Sequence, residues 1–218
     1  MKHILISIIF LSSLPSFSQS IAIIGGLNHN SFFDFRKDEM LYSSSYSSDL
    51  GYTIRIGLED IKVKRLKLRF TLSYDKFGGK IEISDWALGG GDETNAEINK
   101  SVISLGIFPV NFKIIDRFDI NLGLEIAGLI SEHIIGTQSY WEMGQLVWVK
   151  DLNDKDERFC AKAYFGLCGR IAYDIGISDN LTISPQYSYY FGVSNEFVIK
   201  TTKSMRHYFC IGLQRKIK

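Results

Sequence analysis

Long stretches of the chain alternate apolar with polar residues, as β-strands with two unlike faces do. In residues 181–193, LTISPQYSYYFGV, the odd positions are apolar or aromatic and the even positions are mostly small or polar. Successive side chains of a strand point to opposite faces, so this segment has one oily face and one polar face. The alternation predicts eight strands, over residues 20–29, 50–59, 65–83, 98–109, 117–130, 159–176, 180–193 and 204–217.

The connections between these strands alternate in length. The long or moderate ones cover residues 30–49, 84–97, 131–158 and 194–203, and the short ones cover residues 60–64, 110–116 and 177–179. This order is typical of an antiparallel barrel in which one rim carries long loops and the other carries tight turns. Both chain ends then lie at the short-turn rim. Within the third long connection, an extra hairpin is expected in which Trp141 packs on Trp148.

The volume of the oily faces decides which way they point. Even positions of residues 65–75 carry Leu, Leu, Phe, Leu and Tyr, whereas the odd ones carry Arg, Lys, Arg, Thr, Ser and Asp, and residues 118–126 show the same split. The interior of an eight-stranded barrel is only wide enough for side chains to fill, so these bulky groups do not all fit inside. The sequence therefore predicts an all-β, eight-stranded antiparallel up-and-down transmembrane β-barrel. A soluble, lipocalin-like barrel with its oily face inside is the alternative.

The first residues predict export. MKHILISIIFLSSLPSFSQS has a basic residue, an apolar run and small residues that flank Phe17, which is the pattern of a signal peptide cleaved after Ser18. Residues 19–218 then form the barrel domain, and no later apolar run reaches the length of a membrane helix. The chain carries 25 basic and 24 acidic residues, so its charge favours no nucleic-acid partner.

With these features the sequence resembles the OmpA-like, eight-stranded outer-membrane β-barrels, in particular the PorT-like "porin family" proteins. The resemblance covers residues 1–218 and rests on the Ser-rich export signal, the opening strand IAIIGGLNHN, strands that end in Gly-x-apolar, and the closing strand YFCIGLQRKIK. It implies a location in the outer membrane, with both ends of the barrel in the periplasm and membrane lipid around its wall.

The polar faces predict a lumen filled by paired charges, because an unpaired buried charge is costly. The expected network consists of Arg55, Arg69, Glu125, Lys162, Arg170, Asp174 and Arg206. A polar core that holds the barrel together is the favoured interpretation of these residues. A narrow pore for ions or small solutes along the same residues is the alternative.

The long loops are rich in aromatic residues, which dominate binding hot spots. The residues expected to contact a partner are Phe33, Tyr42, Tyr140, Trp141 and Trp148. An envelope structural or surface-interaction protein, with an extracellular or envelope protein as its partner, is therefore the favoured function.

An outer-leaflet lipid-modifying enzyme is a further alternative, since His29, Ser31 and Asp34 lie close in sequence and His207 is expected at the same rim. These residues are better explained as the polar end of the first strand, where the chain passes into a loop, than as a catalytic group. The sequence has no HExxH or CxxC spacing and no phosphate-binding loop, so no catalytic residue, metal or cofactor is expected. Cys160, Cys168 and Cys210 are expected to be buried thiols, and the first two, placed on one strand, are too far apart to form a disulfide.

Overall fold

A computed structural model of the protein describes residues 20–34, 41–63, 66–115, 117–153, 159–198 and 201–217. Within these ranges the regular structure is all β, and no helix is long and apolar enough to cross a membrane. The predicted signal peptide lies outside the described residues. The strands are β1 (Ser20–Phe33), β2 (Tyr42–Ser48), β3 (Leu50–Val63), β4 (Leu66–Ala87), β5 (Gly90–Ile115), β6 (Phe118–Glu142), β7 (Gln145–Leu152), β8 (Ala163–Tyr173), β9 (Ile175–Ser178), β10 (Leu181–Gly192) and β11 (Lys203–Lys216).

Eight of these strands close into a barrel. The order around it is β1-β3-β4-β5-β6-β8-β10-β11, and β11 returns to β1 with registers from Ser20↔Lys216 to Phe33↔Lys203. Every neighbouring pair is antiparallel. Closure pairs the backbone groups that an open sheet would leave at its edges. The predicted eight-stranded antiparallel up-and-down barrel is confirmed.

The bulky apolar side chains point away from the barrel axis. Leu122 is 49% exposed on the outer face, and Phe70 and Ile183 lie half-buried on the same face. Outward residues that are at least 44% exposed include Ile54, Ile56, Leu72, Leu105, Leu124, Ile126, Leu167 and Ile211. The lipocalin-like alternative is thus wrong, because it requires these groups inside. An apolar outer band around a polar interior is the arrangement of a transmembrane β-barrel.

Aromatic pairs lie on the outer face towards the long-loop rim. The ring centroids of Tyr52 and Tyr74 are 6.1 Å apart, and those of Tyr189 and His207 are 5.0 Å apart. Amphipathic rings at this level are suited to the boundary between hydrocarbon and headgroups.

β5 and β6 are much longer than the alternation predicted, and β4 extends four residues further than predicted. β4 continues to Ala87, β5 begins at Gly90, and β6 continues to Glu142, so the predicted loop 84–97 is mostly strand and turns only at Leu88 and Gly89. β2 pairs with the far part of β4, and β7 pairs with the far part of β6. The result is a five-stranded outer sheet, β2-β4-β5-β6-β7, that projects beyond the barrel at the long-loop end.

The outer sheet has an apolar core of its own. Its inner face carries Ile81 and Ile83 from β4 and Ala96 and Ile98 from β5, all of which are buried. These residues pack with others from the neighbouring strands and connections, namely Phe32, Tyr42, Ile134, Phe159, Cys160 and Phe197. Burial of this face explains why the long strands stay ordered beyond the barrel.

Two smaller expectations need correction. β8 begins at Ala163, so Cys160 and Cys168 do not share a strand. The backbone of Cys160 instead forms an isolated antiparallel β-bridge with Phe197. All three cysteines are buried free thiols, as predicted. The extra hairpin is confirmed as β6 and β7, but the ring that Trp148 stacks on belongs to Tyr140, which lies opposite it in register.

Candidate functional site

The buried part of the lumen holds equal numbers of positive and negative side chains. Apart from Asp34, which accepts a hydrogen bond from Tyr42 of the outer-sheet core, the described residues include five buried cations and five buried carboxylates that point inward, each at most 7% exposed. They are Arg55, Arg69, Lys100, Arg170 and Arg206, and Glu59, Asp75, Asp119, Glu125 and Glu196. A balanced set satisfies the requirement that a charge removed from water has an opposite charge beside it.

A first ionic layer lies towards the short-turn end. The carboxylate of Glu59 accepts hydrogen bonds from Nη2 of Arg69 at 2.8 Å and from Nη1 of Arg170 at 3.0 Å. Arg69 also donates to the side-chain oxygen of Asn121 and lies 3.9 Å from Asp119. These contacts join β3, β4, β6 and β8 across the lumen. We call the cluster of Glu59, Arg69 and Arg170 the Glu59 crossbar.

A second ionic layer lies at the long-loop end. The Nζ of Lys100 lies 2.7 Å from Oε1 of Glu196, and both side chains are fully buried. Arg206 lies 3.7 Å from Glu196 and 3.8 Å from Glu125. The Arg206 guanidinium also lies 4.0 Å from the ring centroid of Tyr190, a distance at which cation–π attraction contributes.

Glu196 reaches this layer because the connection after β10 folds into the barrel mouth. This plug segment, residues 193–198, is bound to the connection before β8: Ala161 N–H donates to the Glu196 carbonyl, and Val198 N–H donates to the Phe159 carbonyl, each at 2.9 Å. The rings of Phe159 and Phe197 are 4.9 Å apart. The plug segment is therefore held by backbone bonds, aromatic packing and ion pairs together.

The structure places most of the expected lumen residues inside. Arg55, Arg69, Glu125, Arg170 and Arg206 are all buried and face the axis. Of the other two, Asp174 lines the short-turn opening of the lumen and Lys162 is exposed.

Asp174 lies half-buried at the short-turn end, where Ser184 donates a hydrogen bond to it. Lys162 is exposed and lies outside the lumen, because β8 begins only at Ala163 and the strand alternation does not reach it.

Lys100 and Glu196 are missing from the set expected from sequence. Lys100 has the even parity of its inward neighbours Val102 and Ser104, so the alternation contained the signal. Glu196 lies in a connection with no periodic pattern, and only the folded chain places it.

The expected loop contacts divide between the core of the outer sheet and its surface. Tyr42 is 5% exposed and donates a hydrogen bond to Asp34 at 2.7 Å, so it is a core residue and the expectation that it contacts a partner is wrong. Burial raises the pKa of Tyr42 well above the usual range, and the hydrogen bond to Asp34 acts in the same direction. Phe33 stacks on Phe191 with ring centroids 5.3 Å apart.

The surface residues of the outer sheet gather at its far end. All three tryptophans of the chain, Trp86, Trp141 and Trp148, lie within the last rows of the sheet. The two hairpin turns beside them expose Leu88 completely and Met143 to 86%, and Met143 N–H donates to the Gly89 carbonyl at 2.7 Å. We call this group the apolar tip.

β7 forms one side of the outer sheet. Among the described strands it pairs only with β6. Leu146, Val147, Trp148 and Val149 are all exposed, so this strand carries apolar groups on both of its faces. Exposed apolar edge strands are sites at which other chains add.

The residues considered for catalysis do not converge. His29 is exposed on the outer face of β1, opposite His207. Asp34 is instead buried beside the outer-sheet core, where it accepts hydrogen bonds from Tyr42 and Thr201. A nucleophile needs a base and an orienting acid within hydrogen-bond reach. This arrangement gives no support to a triad built from His29, Ser31 and Asp34.

Comparisons with known proteins give distant structural matches. No protein-family model matches the chain, and no curated protein matches its sequence. The structure is similar to Neisserial surface protein A, at 13% identity and a TM-score of 0.42 over 90% of this chain and 97% of that one.

Two further solved structures show similar values. Ail, the attachment invasion locus protein of Yersinia pestis, matches at 10% identity and a TM-score of 0.41 over 90% of this chain and 99% of that one. The outer membrane protease OmpT from Escherichia coli matches at 9% identity and a TM-score of 0.45 over 91% and 95%. The barrel assignment itself rests on the closed sheet and the direction of its side chains.

Proposed function

We propose that the protein is an outer-membrane barrel with a closed lumen that presents the outer sheet to a protein partner. The apolar outer band supports a lipid surrounding. In this proposal residues 1–18 are a cleaved export signal, the chain ends lie in the periplasm, and the long-loop end faces outside. The PorT-like, "porin family" relationship suggested by the sequence belongs to the same proposal.

The ionic layers support a closed lumen rather than a pore. The Glu59 crossbar and the Lys100–Glu196 pair fill the interior at two levels, and the plug segment covers the mouth. Charges held in direct contact support a lumen without a continuous path for hydrated ions. The lumen residues therefore hold the wall strands together, and a passive pore is the less supported alternative.

The apolar tip is the single observation that carries the surface-interaction function. From Lys76, the first outward charge of β4 beyond the apolar band, to Ala87 the strand extends roughly 36 Å at strand rise. Trp and exposed apolar groups at that distance from the lipid boundary are exposed to solvent unless a partner covers them. Such residues are enriched in the centres of protein interfaces.

Site-specific photo-crosslinking on intact cells tests this function. A photoreactive amino acid in place of Trp148 or Trp141 is expected to give a defined adduct under native expression. The same group in place of Ser45, which is exposed on β2, is the matched control and is expected to give none. Adducts at none of the positions, or equal adducts at all three, would contradict the proposal.

A further inference from the structure

The barrel contains a cavity of about 690 Å³ at the short-turn end. The lower parts of β4, β5, β6, β9, β10 and β11 contribute to its wall, so the cavity lies inside the barrel mouth and not on the lipid side. Arg69, which belongs to the Glu59 crossbar, forms part of its lining. We call this cavity the basic cup.

The side chains that line the basic cup are not balanced in charge. Five are cationic, Lys67, Arg69, Lys113, Arg117 and Lys216, and three are acidic, Asp60, Asp119 and Asp174. The excess of two positive charges contrasts with the deeper lumen, where cations and carboxylates are equal in number. The charge balance of the deeper lumen is thus lost at its short-turn opening.

The excess cations are not taken up by neighbouring carboxylates. Lys113 lies 3.9 Å from Asp119. Lys67, Arg117 and Lys216 have no ion-pair partner within the part of the chain that the structure describes. Exposed lysines and arginines keep water as their alternative partner, so they are available to an incoming ligand at low cost.

A buried group also lies at the inner boundary. Arg69 is 6% exposed, and its Nε has no hydrogen-bond partner among the described residues. A bound anion could therefore contact Arg69 at the closed end of the cup. At the open end it could contact cations of β4, β5 and β11. Walls of low dielectric strengthen the field inside such a recess.

We propose that the basic cup binds a small multivalent anion that carries phosphate or carboxylate groups, taken from the solution on the short-turn side. Guanidinium and ammonium donors recognise both groups by charge-assisted hydrogen bonds. The inward parity of Lys67 and Lys216 directs them to the cup and away from lipid headgroups. This site is independent of the outer sheet and of the function proposed for it.

Calorimetric titration of the full protein in non-ionic detergent tests the proposal, with pyrophosphate and citrate as probes at low ionic strength. Saturable one-to-one binding of at least one probe is expected. Removing two cup cations in the double variant Arg117→Gln/Lys216→Gln is expected to weaken it by roughly fivefold or more. Tighter binding of pyrophosphate would assign the site to phosphate groups, and tighter binding of citrate would assign it to carboxylates.

The double variant Lys76→Gln/Lys80→Gln is the matched control. It removes the same charge from exposed positions of β4 towards the opposite end. Heat-modifiable gel migration shows that each variant forms the barrel. Binding of neither probe by the parent protein, or equal weakening by both double variants, would overturn the proposal.

Discussion

The Nζ of Lys100 on β5 lies 2.7 Å from the carboxylate of Glu196 in the plug segment, and neither side chain is exposed. The pair joins the wall of the barrel to a connection 96 residues further along the chain. Arg206 lies 3.7 Å from the same carboxylate oxygen, Oε1 of Glu196. Two buried cations therefore share one carboxylate oxygen of the plug segment.

Removing that acid should destabilise the protein. Glu196→Gln leaves Lys100 and Arg206 buried with one carboxylate fewer, and breaking a buried ion pair from one side costs about 3–5 kcal/mol. Urea unfolding in lipid vesicles, followed by tryptophan fluorescence, measures the loss. Glu82→Gln, at an exposed position of β4, is the control and should change stability little. Equal effects of the two changes on the free energy of unfolding would show that the buried pair does not stabilise the protein.

The proposed closed lumen predicts the absence of steady conductance. In planar bilayers at neutral pH the parent protein should show no stable single-channel current, because the Glu59 crossbar and the Glu196 pair fill the lumen at two levels. The Glu196→Gln variant should also stay closed, since Arg69, Arg170 and Glu59 are unchanged. Regular conductance steps from the parent protein would favour the pore.

The thiol of Cys160 should react slowly with maleimides. It is fully buried in the core of the outer sheet, and burial raises its pKa to about 12. At pH 9 roughly one thiol in a thousand would then be ionised, whereas an ordinary exposed cysteine is mostly ionised at that pH. The thiolate is the form that reacts with maleimides. The measurement uses a variant with Cys168→Ala and Cys210→Ala, and a Ser45→Cys variant of the cysteine-free chain as the exposed control. Labelling of both sites at similar rates in the folded protein would contradict this environment.

The outer sheet should loosen without loss of the barrel. Ile98→Ala creates a cavity in the core of the outer sheet, where the side chain is 0% exposed, and such a change costs about 2–5 kcal/mol. Limited proteolysis should become faster in the outer sheet while heat-modifiable migration is retained. Ile135→Ala, at a side chain that is 61% exposed, is the control. Unchanged proteolysis in Ile98→Ala would mean that this core does not hold the sheet.

Local alternation predicted the barrel wall well, because each wall strand has lipid on one side and a polar lumen on the other. The parity of Leu122 and Arg170 could be read from a few neighbours, and so could the inward direction of Arg55 and Arg206. The same parity also directs Lys100 inward, but the predicted lumen network did not include it. The parity rule failed for Lys162, which lies just before β8 begins at Ala163 and is exposed.

The outer sheet could not be predicted in this way. The segment around GGGDETN is rich in residues typical of loops, yet β4 and β5 pair through it up to Ala87↔Gly90. β2, with its run of serines, becomes a strand because the free edge of β4 is beside it. Tyr42 becomes a core residue for the same reason. These outcomes depend on pairing and burial that involve distant parts of the chain.

The sequence by itself determined that the chain forms a barrel and which face is apolar, because a strand's period of two is a local property that each segment shows alone. Only the tertiary structure decided how far β4, β5 and β6 extend, that Glu196 enters the lumen, and that the cations of the basic cup line one cavity. Those features arise when closure brings residues far apart in sequence to the same level of the barrel, and no single segment contains that information.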